Sequence, residues 1–510
     1  MRMLLFACVV FCASALRAAG PELPRGAVLR LEDGPAAGDV TDERSPVRNL
    51  AVSADGAEIV IGGPDGSIAV WDAQTGQCLR RLKTDSSDAD PAPISALALA
   101  RNGAIVARAG DALVRWNADG SRSVVRFEGL GDGPRLAAIS PDGRLFAEYG
   151  EGSPIGVWDA GSGRRLLELD ETVRADLLEF SPDGRRLAVA RMVRLYLFDV
   201  DPDGSAGRAA GRTEPLWKQR PEGTIRHLRF SRDGASIATL VDYEGLLVID
   251  AVHGSTTPPP TVRRTRGGGG ERKLVTVSPD ASLVAESDGR GEVRLWEFAT
   301  ARDVLLLRPR QAVAAAAFLP DGRRLVTVAA NGTGLVWDLA SADFAIGLPS
   351  DIPLDSETAA ALWRQLGDDN GEAAWQALVA LLHRPGEALR LLESPPSLDG
   401  LARRLVSQLD SEDSSLRSLA MRRLADMSVA AEAFLRDGLD GSPSPEAAAR
   451  LRRLLRRLSG PDKQSEVEKL ARARQFRRVR AVRLLEWIDT PEARRLLVRL
   501  SEERDPDASR

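Results

Sequence analysis

At 510 residues the chain is too long for one ordinary domain. With 43% hydrophobic and 28% charged residues and a formal net charge of −4, it has the composition of a globular protein with a solvated surface. Nothing in that balance points to nucleic acid or to an acidic ligand.

The N-terminus carries Arg2, an apolar run from Met3 to Phe11, and small residues ending near Ala13-Ser14-Ala15 or Ala18-Ala19-Gly20. This is the pattern of a short secretory signal peptide over residues 1–20. The apolar run is short for a bilayer, and no other segment approaches the roughly 20 apolar residues a spanning helix needs, so no integral membrane span is expected. The expected location is exported, periplasmic or extracellular; the alternative is a cytoplasmic chain, or one anchored by an uncleaved N-terminus. Cys8 and Cys12 fall inside this segment and leave Cys78 alone in the mature chain, which excludes an intrachain disulfide. A lone cysteine on an apolar strand is expected to act as a small buried hydrophobe.

From residue 26 to residue 340 the chain repeats. An alternating apolar strand ends in a Trp-Asp pair or a substitute seven times: Trp71-Asp72, Trp116-Asn117, Trp158-Asp159, Phe198-Asp199, Ile249-Asp250, Trp296-Glu297 and Trp337-Asp338. Successive pairs lie 40 to 51 residues apart, the length of one four-stranded propeller blade. Each is preceded by a tight turn of one type, as in Ala54-Asp55-Gly56, Pro182-Asp183-Gly184, Pro279-Asp280-Ala281 and Pro320-Asp321-Gly322. Asp-Gly supplies the positive φ that a tight hairpin requires. Between turn and Trp runs a strand such as Arg186 to Ala190, and after the Trp a turn of the Thr75-Gly76 kind leads into an outer strand such as Gln77 to Leu82.

The Ser-Pro-Asp-Gly turn, the Gly-Ser-Ile-Ala-Val-Trp-Asp strand and the Thr-Gly-Gln-Cys-Leu tail resemble the WD-repeat family over roughly residues 26–340. The resemblance implies a seven-bladed WD40 β-propeller. Blade seven has no outer strand after Trp337, and Ala27 to Leu31 has the alternation of an outer strand without a blade of its own; strand 27–31 is therefore expected to pair beside the Trp337 strand and close the ring. The chain departs from the family in lacking the Gly-His that opens a repeat, so the full Asp-His-Ser/Thr-Trp hydrogen-bond network implied by the resemblance cannot be assembled. The longest insertions, Asp201 to Arg212 and Gly254 to Glu271 with its Arg263-Arg264-Thr265-Arg266 tract, read as exposed loops rather than a nucleic-acid contact.

After a linker over 341–354 the period changes to 3.6. Trp375, Leu378, Val379 and Leu382 fall at i, i+3, i+4, i+7, as do Leu451, Leu454, Leu455 and Leu458, which predicts amphipathic helices over 355–502. Ser356, Ser397, Asp413 and Thr490 stand where helices begin. Seven to nine short helices suggest stacked hairpins of the HEAT or armadillo kind. Segments such as Leu401 to Asp410 and Arg480 to Ile488 resemble a helical region that follows WD repeats in planctomycete-type bacterial proteins. The whole is thus a multidomain β + α chain: a propeller, an all-α helical-hairpin domain and a disordered tail over 503–510. The arginines of the helical third, including Arg472, Arg474, Arg477, Arg478 and Arg480, are expected on solvated faces as partners of Asp and Glu, not as a phosphate track.

No nucleophile elbow, phosphate-binding loop or His-Glu-x-x-His occurs, and His227, His253 and His383 with one mature Cys make no recognisable zinc site. No catalytic, cofactor-binding or metal-ligating residue is therefore nominated, and no cofactor. The reading is a non-enzymatic protein–protein interaction scaffold whose partners are proteins or peptides, with no role in binding nucleic acid. The alternatives are a cytoplasmic regulatory module and a small-ligand or cofactor-binding propeller, the latter resembling the quinoprotein type at Asp72-Ala73-Gln74-Thr75-Gly76.

Overall fold

The computed structural model describes residues 23–31, 50–63, 65–84, 94–110, 112–126, 136–150, 153–169, 173–200, 212–231, 233–242, 245–257, 275–287, 291–329, 331–345, 354–395, 398–427, 431–458 and 463–502. The predicted signal peptide, the tail over 503–510 and the greater part of both long insertions lie outside these residues.

Seven sheets, antiparallel but for one short added strand, follow one another along the chain, and the first strands of successive sheets touch in a closed ring, the first against the seventh as well as the second. This is a seven-bladed β-propeller. The Trp positions explain the period. Each packs into the gap before its own blade: Trp71 between blades seven and one, Trp116 between one and two, Trp158 between two and three, Trp296 between five and six, Trp337 between six and seven. Phe198 and Ile249 fill the same place in blades four and five and are fully buried. An apolar side chain that joins neighbouring blades is needed once per blade, and its exact shape is negotiable where the facing residues adjust.

The turns carry the rest of the repeat. In five blades a serine hydroxyl donates to the turn aspartate, as Ser53 to Asp55, Ser140 to Asp142, Ser181 to Asp183, Ser231 to Asp233 and Ser278 to Asp280. The same carboxylate accepts from the backbone N–H two residues on, for example Arg185 N to Asp183 Oδ1 at 3.1 Å. Gly56, Gly103, Gly143, Gly184, Gly234 and Gly322 take the left-handed conformation the turn requires, and in blade six Ala281 is forced into it at φ 56°. The aspartates of the Trp-Asp pairs cap the next turn: Asp72 Oδ1 accepts from Gln74 N and Thr75 N at 2.9 and 2.7 Å.

Ala27–Leu31 pairs antiparallel with Gly334–Asp338, Ala27 opposite Trp337 and Leu31 opposite Gly334, so the N-terminal strand completes blade seven. Leu31 is fully buried among residues of blades one and seven. Blade three gains a short fifth strand, Arg212–Thr213, which lies parallel to its outer strand. The following strand of blade four, Trp217–Gln219, pairs with Arg194–Asp199.

Nine α-helices follow among the described residues: α1 (Ser356–Leu366), α2 (Gly371–Leu382), α3 (Pro385–Glu393), α4 (Leu398–Gln408), α5 (Ser414–Asp426), α6 (Glu432–Asp440), α7 (Pro445–Leu458), α8 (Lys463–Ile488) and α9 (Pro491–Glu502). Asp355 caps α1 in the place expected for Ser356, accepting from Thr358 N at 2.7 Å; Asp413 caps α5. The helices form two groups. α4 to α7 share one apolar core, while the 26-residue α8 turns back with α9 onto α1, α2 and α3. A solenoid whose hairpins touch only their neighbours would not bring α8 back to α1.

Candidate interaction surfaces

The first group of helices shares its core with blades six and seven. Leu362, Trp375, Leu378 and Leu484 lie in one buried cluster with Leu295, Leu305, Leu325 and Trp337. Trp375 Nε1 donates to the Leu339 carbonyl at 3.1 Å, and His383 Nε2 lies 3.0 Å from the Ala340 carbonyl. Trp375 meets Trp487 edge-on, with ring centroids 5.5 Å apart. The approach is close enough to require a glycine: a Cβ on Gly371 would stand 2.3 Å from the Asp303 carbonyl oxygen. Phe344, in a 3-10 turn over Ala342–Phe344, joins the same core, so this part of the connection packs on the propeller.

At the centre of the contact lies a charged knot. Glu297, which stands where most blades have the Trp-Asp aspartate, accepts from Arg483 Nη1 at 2.6 Å and Arg480 Nε at 3.0 Å, and Thr300 Oγ1 donates to it at 2.9 Å. Relative exposures are 0% for Glu297, 0% for Arg480 and 3% for Arg483. Arg480 also donates to the carbonyls of Leu366 and Asp368 at 2.9 and 2.8 Å. These acceptors lie at and just beyond the C-terminus of α1, where helical carbonyls lack partners and the macrodipole favours a cation. One carboxylate and one helix end thus balance two guanidinium groups. Burial works to raise the Glu297 pKa, but Arg483 and Arg480 outweigh it and hold the carboxyl below the ordinary glutamate value. Nearby, Arg477 stacks over Trp363 at 4.7 Å and donates to its carbonyl at 2.9 Å; burial, with Arg474 beside it, pushes its guanidinium down to about 10.

Two expectations are corrected here. Arg480 is not on a solvated face, and Arg477 is partly buried, because α8 returns to the propeller and turns that side of the helix inward. Arg472, Arg474 and Arg478 are exposed as expected. Cys78 is exposed rather than buried, because it lies on the outermost strand of blade one, Cys78–Lys83, at the rim of the disc. The signal for the knot was present in the sequence as a glutamate at an aspartate position and two arginines three residues apart, but nothing local joined them.

The helices reach the ends of the third strands and the turn at Asp280, which acts with burial to raise the Glu486 pKa. Among the described residues the opposite face, with the hairpins between second and third strands, carries none of these helix contacts. A cleft of about 170 Å³ is lined by Arg30, Thr327, Thr333 and Leu335 of blade seven and by Pro309 to Gln311 of the connection before it. In the gap between blades two and three, Arg108 and Glu148 form a buried ion pair at 3.2 Å. Of the hydrogen-bond network that the resemblance implies, one contact is present in blade seven: Trp337 Nε1 donates to Thr327 Oγ1 at 2.8 Å. Ile61 holds the equivalent position in blade one, and Trp71 Nε1 has no partner among the described residues. Among the described residues no group of three or more His, Cys, Asp or Glu could hold a metal ion, and no helix is long and apolar enough to cross a membrane.

Residues 39–72 match the family described as WD domain, G-beta repeat. The chain is similar to Protein groucho of Drosophila melanogaster, at 28% identity over 146 residues. That stretch is 28% of this chain and 20% of groucho, so the chain spans about a fifth of the length of the curated relative it matches. Among solved structures it is similar to the β-propeller domain of Cps50 (Swd1) from Myceliophteria thermophila, with 18% identity and a TM-score of 0.46 over 57% of this chain and 96% of that one.

Proposed function

We propose that the chain is a non-enzymatic protein–protein interaction scaffold in which propeller and helices act as one body. The observation that carries this reading is the division of the propeller's two faces. One is bound by the chain's own helices through the Glu297 knot and a shared apolar core, while the other presents loops and strand ends on a rigid ring. A rigid frame that displays loops suits recognition of proteins or peptides. The WD-repeat match supports the same reading. The reading includes export from a bacterial cytoplasm to the periplasm or outside the cell, which the N-terminal Arg2 and the apolar run after it support.

Proximity labelling in the native host with a C-terminal fusion, combined with N-terminal mass spectrometry of the recovered chain, tests both parts. A small reproducible set of proteins and an N-terminus processed after residues 15 to 20 is the expected result. An intact N-terminus with cytosolic neighbours overturns the export; the absence of any enriched protein overturns the scaffold.

A further inference from the structure

The gaps between blades two and three and between blades six and seven can be compared position by position. In blade two, Arg108 lies three residues after Ile105, the partner of Trp116; in blade three, Glu148 lies two residues after Phe146, the partner of Trp158. The ion pair of these two side chains plugs its gap, with Arg108 Nη1 also donating to Ser95 Oγ at 3.0 Å. The same register in blades six and seven, counted from Val284 opposite Trp296 and from Leu325 opposite Trp337, gives Ser287 and Thr327. Both charged side chains are replaced by small hydroxyls, and the cleft of about 170 Å³ opens beside Thr327. That is room for more than a water molecule.

The rim of this cleft is cationic. Arg30 comes from the ring-closing strand, and Arg310 and Gln311 from the connection between the two blades. Arg310 has no hydrogen bond or ion pair with any described residue, and its backbone is held in the left-handed region at φ 69°. Arg310 is exposed at the mouth of the cleft. Thr327 Oγ1 accepts from Trp337 Nε1 and keeps its hydroxyl hydrogen to donate.

We propose that this cleft binds a carboxylate, the acidic side chain of a partner's extended segment, which takes the place that Glu148 fills from within the chain at the other gap. Arg310 supplies the planar pair of donors suited to a carboxylate, Thr327 a further donor, and Arg30 a second positive charge. The proposal deepens the scaffold reading and rests on it.

The test uses the full chain and a fluorescein-labelled peptide of alternating Glu and Ser, with its Gln-for-Glu counterpart, followed by fluorescence anisotropy. Saturable binding of the Glu peptide, at least about tenfold weaker for the Gln peptide, is expected from the loss of a charged hydrogen-bonded contact. Arg310→Gln should lose a similar factor. Thr327→Glu should lose it too, because it places a carboxylate of the chain's own in the cleft, with the melting temperature showing that the fold survives. Arg452→Gln, on the exposed face of α7, should bind normally. Competition by millimolar glutarate would show that a free carboxylate also enters the site; failure of glutarate to compete would assign the site to peptides alone. No saturable binding of the Glu peptide, or binding unchanged in both Arg310→Gln and Thr327→Glu, overturns the proposal. Partners still captured by Arg310→Gln in proximity labelling would leave the scaffold reading standing while the cleft is rejected as their docking site.

Discussion

Glu297 of blade six and Arg480 of α8 meet at 3.0 Å with neither side chain reached by solvent, although 183 residues separate them. A buried ion pair is weak support for stability in itself, since desolvation offsets the attraction, but removing one partner strands the other. Glu297→Ala leaves two buried guanidinium groups with a single helix end to balance them. It should cost about 3–5 kcal/mol in urea unfolding. Replacing Glu297, Arg480 and Arg483 together by apolar residues should recover much of that loss, and a triple variant as unstable as the single one would contradict this account.

The pH dependence has two parts. Burial, with Arg229 nearby, lowers the His227 pKa to about 3, so the imidazole is neutral in the folded chain and protonates in the unfolded chain below its ordinary value of 6.5. The unfolded state then binds more protons, and stability falls as pH drops from about 6.5 towards 3. Glu297 behaves as a carboxylate with a depressed pKa: its contribution is whole above the ordinary glutamate value and is lost only as pH falls through the lower folded value. His227→Gln should therefore flatten the stability curve between pH 6.5 and 5 and leave the steeper loss in stronger acid. An imidazole NMR titration with an inflection near 6.5 would count against a neutral His227.

Ring closure depends on Leu31, which packs against Gly334 so tightly that a Cβ there would lie 2.9 Å from the leucine side chain. Leu31→Ala should cost about 2–5 kcal/mol through the cavity it leaves. Hydrogen exchange should rise first in Gly334–Asp338, the strand that Leu31 helps to cover. Exchange that rises evenly around the ring would mean that closure is not a local weak point.

Ala281 occupies a turn position that is glycine in the other six blades, at a positive φ that L-residues adopt with strain. Ala281→Gly should raise stability by up to about 1 kcal/mol, the relief of strain being partly offset by the flexibility glycine adds to the unfolded chain. A fall in melting temperature would indicate that the Ala281 methyl is worth more as packing than it costs as strain.

Cys78 sits on the outer strand of blade one with its Sγ 3.8 Å from the Arg80 carbonyl. Being exposed, it should react with a maleimide under native conditions, with the adduct mapped to residue 78 by mass spectrometry. Labelling that requires denaturant would restore the buried thiol expected from composition.

Much of this architecture was legible in the residues themselves. The seven apolar strand ends, the Asp-Gly turns in fixed phase and the orphan strand at Ala27 are local signals, because pleating, positive φ and 3.6-residue periodicity act over a few neighbours. Composition and spacing could not say that Arg480 is buried and Cys78 exposed. Burial of a charge is decided by what a distant element brings to it, here one carboxylate and the end of α1, and exposure of an apolar strand by its place at the rim of the disc. The cleft beside Thr327 belongs to the same class. Threonine at 327 is unremarkable as a strand residue, and only its register against Glu148 of blade three shows which side chain is missing beside the cleft.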